Sequence, residues 1–317
     1  MILSYNKTME TFPSSNGLFD IHYYIYTPKK PVRFVLQITH GMCEYIERYE
    51  GFIKYLSREG VLVAGHDHVG HGRSINTLED LGYFSEDASD LTLVKDLKTM
   101  TDLLSERYSE LPHFILGHSM GSFVLRKYLM KFGRSLSGIL ISGTGGANPG
   151  VSPGITLAKS ISAVRGEKHR STLFNSVFFN GFNKNFQDEK DKFSWLTRDE
   201  KVVAAYHKDP KCNFVFTMNG FKGFLEIMRE VTSDEWAAQM PKEVPVHLFS
   251  GKNDPVGTYG KGVTDTFNHL LDAEVKTVTM KLYEKGRHEM LNELNRKDVY
   301  QDLLSKMEEM LSLEEEE

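Results

Sequence analysis

The stretch "HFILGHSMGSFVLRKYL" (113–129) constrains this chain more than any other. A continuous apolar run enters Gly-His-Ser-Met-Gly, and an amphipathic run with Phe123, Val124, Tyr128 and Leu129 leaves it. The first half has the length and β-branched, aromatic character of a buried strand, the second the period of a helix. Ser119 then sits where strand turns sharply into helix, a turn that usually forces an unfavourable backbone costing about 1–3 kcal/mol. Gly117 and Gly121 keep the flanking strand and helix from colliding with it. Such a G-x-S-x-G elbow lifts the hydroxyl clear of both elements, and the Met120 N–H, at the helix start, has no internal acceptor. Ser119 is therefore the candidate nucleophile.

The surroundings repeat that rhythm. "RFVLQITH" (33–40), "VLVAGHDH" (61–68), "HFILGHS" (113–119), "GILISG" (138–143), "PVHLFSG" (245–251) and "VKTVTMKLYE" (275–284) read as strands. Their near-continuous apolarity suits a parallel sheet covered on both faces. Helical spacing marks Ile46 to Arg58, Leu91 to Tyr108, Met120 to Phe132, Val263 to Leu271 and Val299 to Leu311. The alternation predicts right-handed βαβ crossovers and an α/β fold with helices on both faces of a mostly parallel sheet. At the front, "NKTMETF" and "FDIHYYIYT" flank "PSSNG", a hairpin expected to add antiparallel strands at one edge.

Between about Thr144 and Trp236 the rhythm stops. The expected organisation is a core built from 1–143 and 238–317, interrupted by an inserted helical cap over 144–237. Phe174, Phe178, Phe179, Phe182, Phe186, Phe214, Phe216, Met218, Phe221 and Phe224 crowd that insertion. Most should pack the cap and its seat; a few would line a tunnel for an acyl chain. The charged "KNFQDEKDK" should be its wet outer face.

A net charge of -5 without a basic stripe argues against a nucleic-acid partner. Cys43 and Cys212 form neither a disulfide framework nor a zinc set, and read as reduced thiols of a cytoplasmic protein. "MILSYNKTMETF" lacks the pattern of a signal peptide, and no run approaches the ~20 apolar residues of a membrane span. "SLEEEE" reads as a solvated tail.

A serine nucleophile needs a base, and the base an orienting acid. Asp254 in "LFSGKNDPVG" and His288 in "YEKGRHEML" both follow predicted strands, at the carboxyl ends where open α/β sheets build their sites. Ser119 would attack, His288 would carry the proton, and Asp254 would fix the imidazole. The oxyanion needs a second N–H besides that of Met120; "THGMCE" leaves the first parallel strand and offers that of Met42. The His40 side chain should instead bond loop backbone. "GHDHVGHGRS" gathers His66, Asp67, His68 and His71, which raises metal-assisted hydrolysis as a rival. A continuing strand would point Asp67 and His68 to opposite faces, and Gly70 and Gly72 suit a turn better than a ligand set. No metal or cofactor is expected.

Taken together, "HGMCEY", "HDHVGHGRS", "GHSMGS", "SGKNDPVG" and "GRHEML" resemble, in order, the motifs of the α/β-hydrolase superfamily, and within it the monoacylglycerol lipase and lysophospholipase-like group, which is related to the serine aminopeptidases. The resemblance covers most of the chain. It implies a triad of Ser119, Asp254 and His288, an oxyanion hole from Met42 and Met120, and a small ester or monoacyl lipid as substrate, met in transient contact with a lipid surface. Two other functions fit the same fold: an aminopeptidase, with Asp188, Glu189, Asp191, Asp199 or Glu200 receiving a substrate ammonium, or a non-catalytic ligand receptor.

Overall fold

A computed structural model describes residues 4–86, 89–186 and 191–314. The alternation of short apolar runs and helices produces one 8-stranded sheet of order β1-β2-β4-β3-β5-β6-β7-β8. The strands are β1 (Tyr5–Pro13), β2 (Asp20–Pro28), β3 (Phe34–Thr39), β4 (Val61–His66), β5 (His113–His118), β6 (Gly138–Ser142), β7 (Val246–Gly251) and β8 (Val278–Tyr283). The hairpin β1–β2 is antiparallel, as is its junction with β4. From β4 through β3 to β8 every pair is parallel. The five strands β3 to β7 are buried along their whole length, which is why they read as unbroken apolar runs.

The two faces carry two cores. On one, α1 (Glu50–Arg58) and α9 (Arg296–Glu314) bring Phe52, Ile53, Leu56, Val299 and Leu303 against Phe34, Leu36, Phe114 and Leu116. On the other, α2 (Ser89–Arg107), α3 (Met120–Leu129) and α8 (Lys261–Asp272) cover Val35, Leu62, Ile115 and Ile139. The helix expected from Ile46 begins instead as a 3-10 turn over Ile46–Tyr49. Asp67 is the physical reason: its Oδ1 accepts the Ile46 N–H at 3.0 Å and fixes the chain before the α-helix begins.

The β6–β7 connection holds α4 (Val151–Arg165), α5 (Thr172–Phe178), α6 (Glu200–Lys208) and α7 (Met218–Val231). Helix α7 seats it. Thr217 caps α7 by accepting the Gly220 N–H at 3.1 Å while its hydroxyl donates to Gly82 O at 2.6 Å. Asn219 accepts the Phe84 N–H and donates to Ser85 O. Below, the buried guanidinium of Arg126 on α3 donates to Thr144 Oγ1 at 3.2 Å and Gly145 O at 2.9 Å, where the connection leaves the sheet. It also donates to Val231 O at the end of α7 and lies 4.0 Å over the Trp236 ring. Burial holds this guanidinium down to about 9.

Of the aromatic crowd in this connection, Phe216, Phe221 and Met218 are fully buried, as packing residues should be. Phe186 is buried too, with the Arg287 guanidinium 4.2 Å over its ring, so "KNFQDEKDK" is not uniformly solvated. Its residues 187–190, with Asp188 and Glu189, lie outside the described residues, as do residues 315–317 of the acidic tail.

Candidate active site

The strand β5 ends at His118 and α3 begins at Met120, leaving Ser119 alone on the turn. Its backbone, φ 51 and ψ -123, lies where an L residue is strained. The flanking glycines answer a close approach. A Cβ on Gly117 would meet Gly121 O at 2.8 Å, and one on Gly121 would meet Thr39 O at 2.2 Å. The Ser119 N–H donates to Ser142 O at 2.9 Å and its carbonyl accepts the Ser122 hydroxyl at 2.6 Å, bonds that hold the strained turn.

The exit of β3 runs directly past this serine: a Cβ on Gly41 would sit 3.0 Å from Ser119 Cβ. Among the described residues, neither the Met42 N–H nor the Met120 N–H is taken by an acceptor within the protein. The two donors expected to serve an oxyanion thus flank the elbow. His40 is spent on the loop, with Nδ1 2.8 Å from Gly41 O and Nε2 accepting the His68 N–H at 2.9 Å.

Asp254 and His288 leave the ends of β7 and β8 and meet. His288 Nδ1 lies 3.0 Å from both carboxylate oxygens of Asp254. The fully buried Asp254 also accepts the Val256 N–H at 2.9 Å and the Ser250 hydroxyl at 3.1 Å, so its orientation is fixed. Burial works against protonation of His288, but the Asp254 carboxylate outweighs it and raises the imidazole above its ordinary value. The His288 ring is 4.8 Å from that of His118, the neighbour of Ser119, and 5.0 Å from the Trp195 indole. Ser119 and His288 line one cleft of about 1460 Å³.

The walls of that cleft differ. Gly41, Met42, His118, Ser119 and His288 form its floor. Phe174, Phe178, Phe179, Phe182, Phe214 and Phe224, with Leu225 and Met228, form an apolar wall from the β6–β7 connection. Among the described residues, its carboxylates are Glu44 and Glu289, and both are paired with Arg48, at 2.9 and 2.8 Å. Asp191, Asp199 and Glu200 are not among the residues lining it. Asp199 caps α6 and pairs with Arg296 at 2.9 Å, while Asp191 faces His207.

The histidine-rich turn after β4 is built for a different purpose. The Asp67 carboxylate accepts the N–H groups of Ile46 and Arg73 and the Tyr24 hydroxyl, all within 3.0 Å. His68 Nε2 meets Thr39 Oγ1 at 2.9 Å and His71 Nδ1 meets Val69 O at 3.1 Å. Among the described residues no three His, Cys, Asp or Glu side chains are grouped to hold a metal ion. Burial pushes His66 down to about 3 and His71 to about 4, so these rings are neutral packing groups at pH 7.

Three features escaped the sequence reading: the Arg48 ion cluster, the indole of Trp195 against His288, and the His118 ring beside that of His288. The first left a signal. "CEYIERY" places Glu44 and Arg48 four residues apart inside an otherwise buried segment, and Glu289 directly follows His288.

Known proteins share this architecture. The chain is 27% identical over 307 residues to the monoacylglycerol lipase of Mycolicibacterium smegmatis, covering 96% of this chain and 98% of that one. It is 28% identical over 273 residues to human monoglyceride lipase, covering 84% and 78%. A thermostable carboxyl esterase from Bacillus coagulans, solved with glycerol, superposes with a TM-score of 0.90 at 29% identity, covering 96% of this chain and 98% of that one. The model of the serine aminopeptidase S33 family matches residues 30–295, most of the sheet and every strand from β3 onward, and the chain belongs to that family of α/β-hydrolases.

Proposed function

We propose that the chain is a serine-dependent carboxylic-ester hydrolase acting on monoacyl lipids or similar small esters. The observation that carries this reading is the 3.0 Å contact of His288 with Asp254 at the floor of the same cleft that Ser119 lines from a strained turn. Relatives named as monoacylglycerol lipases and a carboxyl esterase support the ester substrate.

In this mechanism the neutral His288 takes the Ser119 proton as the oxygen attacks the ester carbonyl. Asp254 holds the ring tautomer and balances the imidazolium that forms. The Met42 and Met120 N–H groups receive the oxyanion; losing one such donor typically costs about 2.7–4 kcal/mol of transition-state stabilisation. The imidazolium then protonates the departing alcohol, leaving an acyl-enzyme on Ser119. Water, deprotonated by the same imidazole, releases the acid and restores the serine.

Residues 144–237 act here as a cap that selects the acyl chain. Each CH₂ buried against its phenylalanine wall contributes about 0.8 kcal/mol, so the wall discriminates chain length. Leu157, Val164, Leu173 and Val177 on α4 and α5 are 48, 82, 75 and 62% exposed, which supports delivery of substrate from a lipid surface. Among the described residues no helix is long and apolar enough to cross a membrane.

The test is turnover of p-nitrophenyl esters of graded chain length, with and without EDTA, alongside fluorophosphonate labelling. Labelling of the wild type but not of Ser119→Ala, with turnover unaffected by EDTA, is expected. A folded wild type that neither labels nor turns over any ester would leave a ligand receptor. An aminopeptidase would cleave aminoacyl-naphthylamides faster than esters; among the described residues, the carboxylates that line the cleft, Glu44 and Glu289, are already paired with Arg48.

A further inference from the structure

We propose that Arg48 is a positioning residue that fastens the loop carrying the Met42 N–H to the loop carrying His288. The inference rests on the catalytic roles proposed above. Two parallel bonds of 2.8 Å run from its guanidinium to the Glu289 carboxylate, next to His288. A third, 2.9 Å, runs to Glu44. Glu44 in turn accepts the Gly41 N–H, one residue before Met42, and the Tyr49 hydroxyl at 2.8 Å. One cation therefore joins segments 241 residues apart in sequence that must hold the oxyanion and the imidazole in register.

Stability alone does not explain this arrangement. Desolvating three charges is costly, and well-packed apolar residues of similar volume often serve as well. What an apolar plug lacks is direction. The planar guanidinium meets one carboxylate in parallel and another at its side, which fixes both loops in distance and in angle. The cluster meets the cleft on one side only through Glu44 and Glu289. The second cavity it borders, with His118, Leu291 and Asn292, measures about 10 Å³, too small for a substrate and about the size of one water. Asn292 holds the far side of Glu289 at 2.9 Å.

The cluster also sets the field at the imidazole. His288 faces Asp254 from the end of β7, Glu289 beside it, Glu44 and Arg48 from the β3 exit, His118 from β5 and the neutral Trp195 indole. Arg48 offsets one carboxylate of the Glu44–Glu289 pair. Its removal leaves two uncompensated carboxylates near His288; neutralising Glu289 leaves none beyond Glu44, which Arg48 still matches.

The experiment measures kcat, KM and the pH profile of kcat/KM on one soluble p-nitrophenyl ester. The wild type is compared with Arg48→Met, Arg48→Lys and Glu289→Gln, with active sites counted by fluorophosphonate. Arg48→Met should lose about 10- to 100-fold in kcat, the scale of a small misplacement of reacting groups, with KM within about threefold. Its acid limb should move to higher pH, that of Glu289→Gln to lower pH, and Arg48→Lys should recover part of both losses. If Arg48→Met fails to fold, the acid limb of Glu289→Gln, expected at lower pH, and the kcat of Arg48→Lys, expected below wild type at an unchanged count of labelled sites, decide. Acid limbs that coincide with that of the wild type, or a fall in kcat explained by fewer labelled sites, would overturn the proposal. A wild type unlabelled at Ser119 would instead overturn the triad, which keeps the two failures apart.

Discussion

The floor of the cleft and its roof are made of the same twenty residue types under opposite rules. Around the floor the charged side chains have assigned bonds: Asp254 to Val256 and Ser250, Glu44 to Gly41 and Tyr49, Arg48 to both its carboxylates. On the roof, among the described residues, seven phenylalanines and several aliphatic side chains, held by contact, stand beside asparagines and glycines along the cleft, and α4 and α5 leave Val164 and Leu173 largely in solvent. Directional bonds fix angles, which proton transfer needs. Apolar contact fixes only volume, which is enough to sort acyl chains by length. The molecule thus keeps geometry below and capacity above.

The largest expected break of that division is Ser119→Ala, which should lower kcat on every ester by on the order of 10⁶-fold while leaving ligand uptake by the roof intact. A fluorescent fatty acid that still binds the variant would show the two layers separate. Asp254→Asn comes next, with a fall of about 10⁴-fold from the wrong imidazole tautomer, read as kcat at pH 8. Roof and floor should respond differently to Arg126→Met. It strands Thr144 Oγ1 and Val231 O, at about 1–3 kcal/mol for each buried group left unpaired, and leaves Gly145 O only a 3.4 Å bond from the Thr266 hydroxyl, so thermal unfolding should come earlier. Long-chain esters should suffer more than acetate, because the floor keeps its own bonds. Phe178→Ala should have the mildest effect, a shift of optimum toward longer or bulkier acyl chains with kcat on short esters within about threefold.

Acid should separate the layers too. In the proposed mechanism His288 acts as a neutral base, and its imidazole is raised, so activity should fall as pH drops through a midpoint above 6.5. Stability follows the opposite kind of histidine. His66, His71 and His113 are held near 3 to 4 by burial, below their unfolded value of about 6.5. Below pH 6.5 the unfolded chain binds protons that the folded one refuses, so stability should decline as pH falls from there. Activity should be lost first, and denaturant midpoints measured from pH 8 to 4 alongside the rate would show the order.

Much of the floor was legible in the sequence because its signals are local. The elbow is written in the consecutive residues Gly117 to Gly121, and Asp254 and His288 each follow a strand whose apolar run announces it. The antiparallel hairpin was legible from Asn16-Gly17 between two alternating segments. What stayed hidden joins distant residues. Arg48 and Glu289 meet only when β3 and the last turn before α9 are folded side by side, and nothing in either segment alone names its partner. The roof was hard for another reason. Phenylalanine at irregular spacing says that something is buried but not against what, so Phe221, which packs, and Phe178, which lines the cleft, look alike until placed.

Arg126 holds a further consequence. It touches the polypeptide where it departs after β6 and where it comes back at Val231 and Trp236, so one guanidinium joins both ends of a connection of nearly ninety residues. A post of that kind keeps the two stems of the roof together. A graft of another length or lining would have to begin and finish at that guanidinium and also keep the bonds of Thr217 and Asn219 to residues 82–85 and the contact of Trp195 with His288.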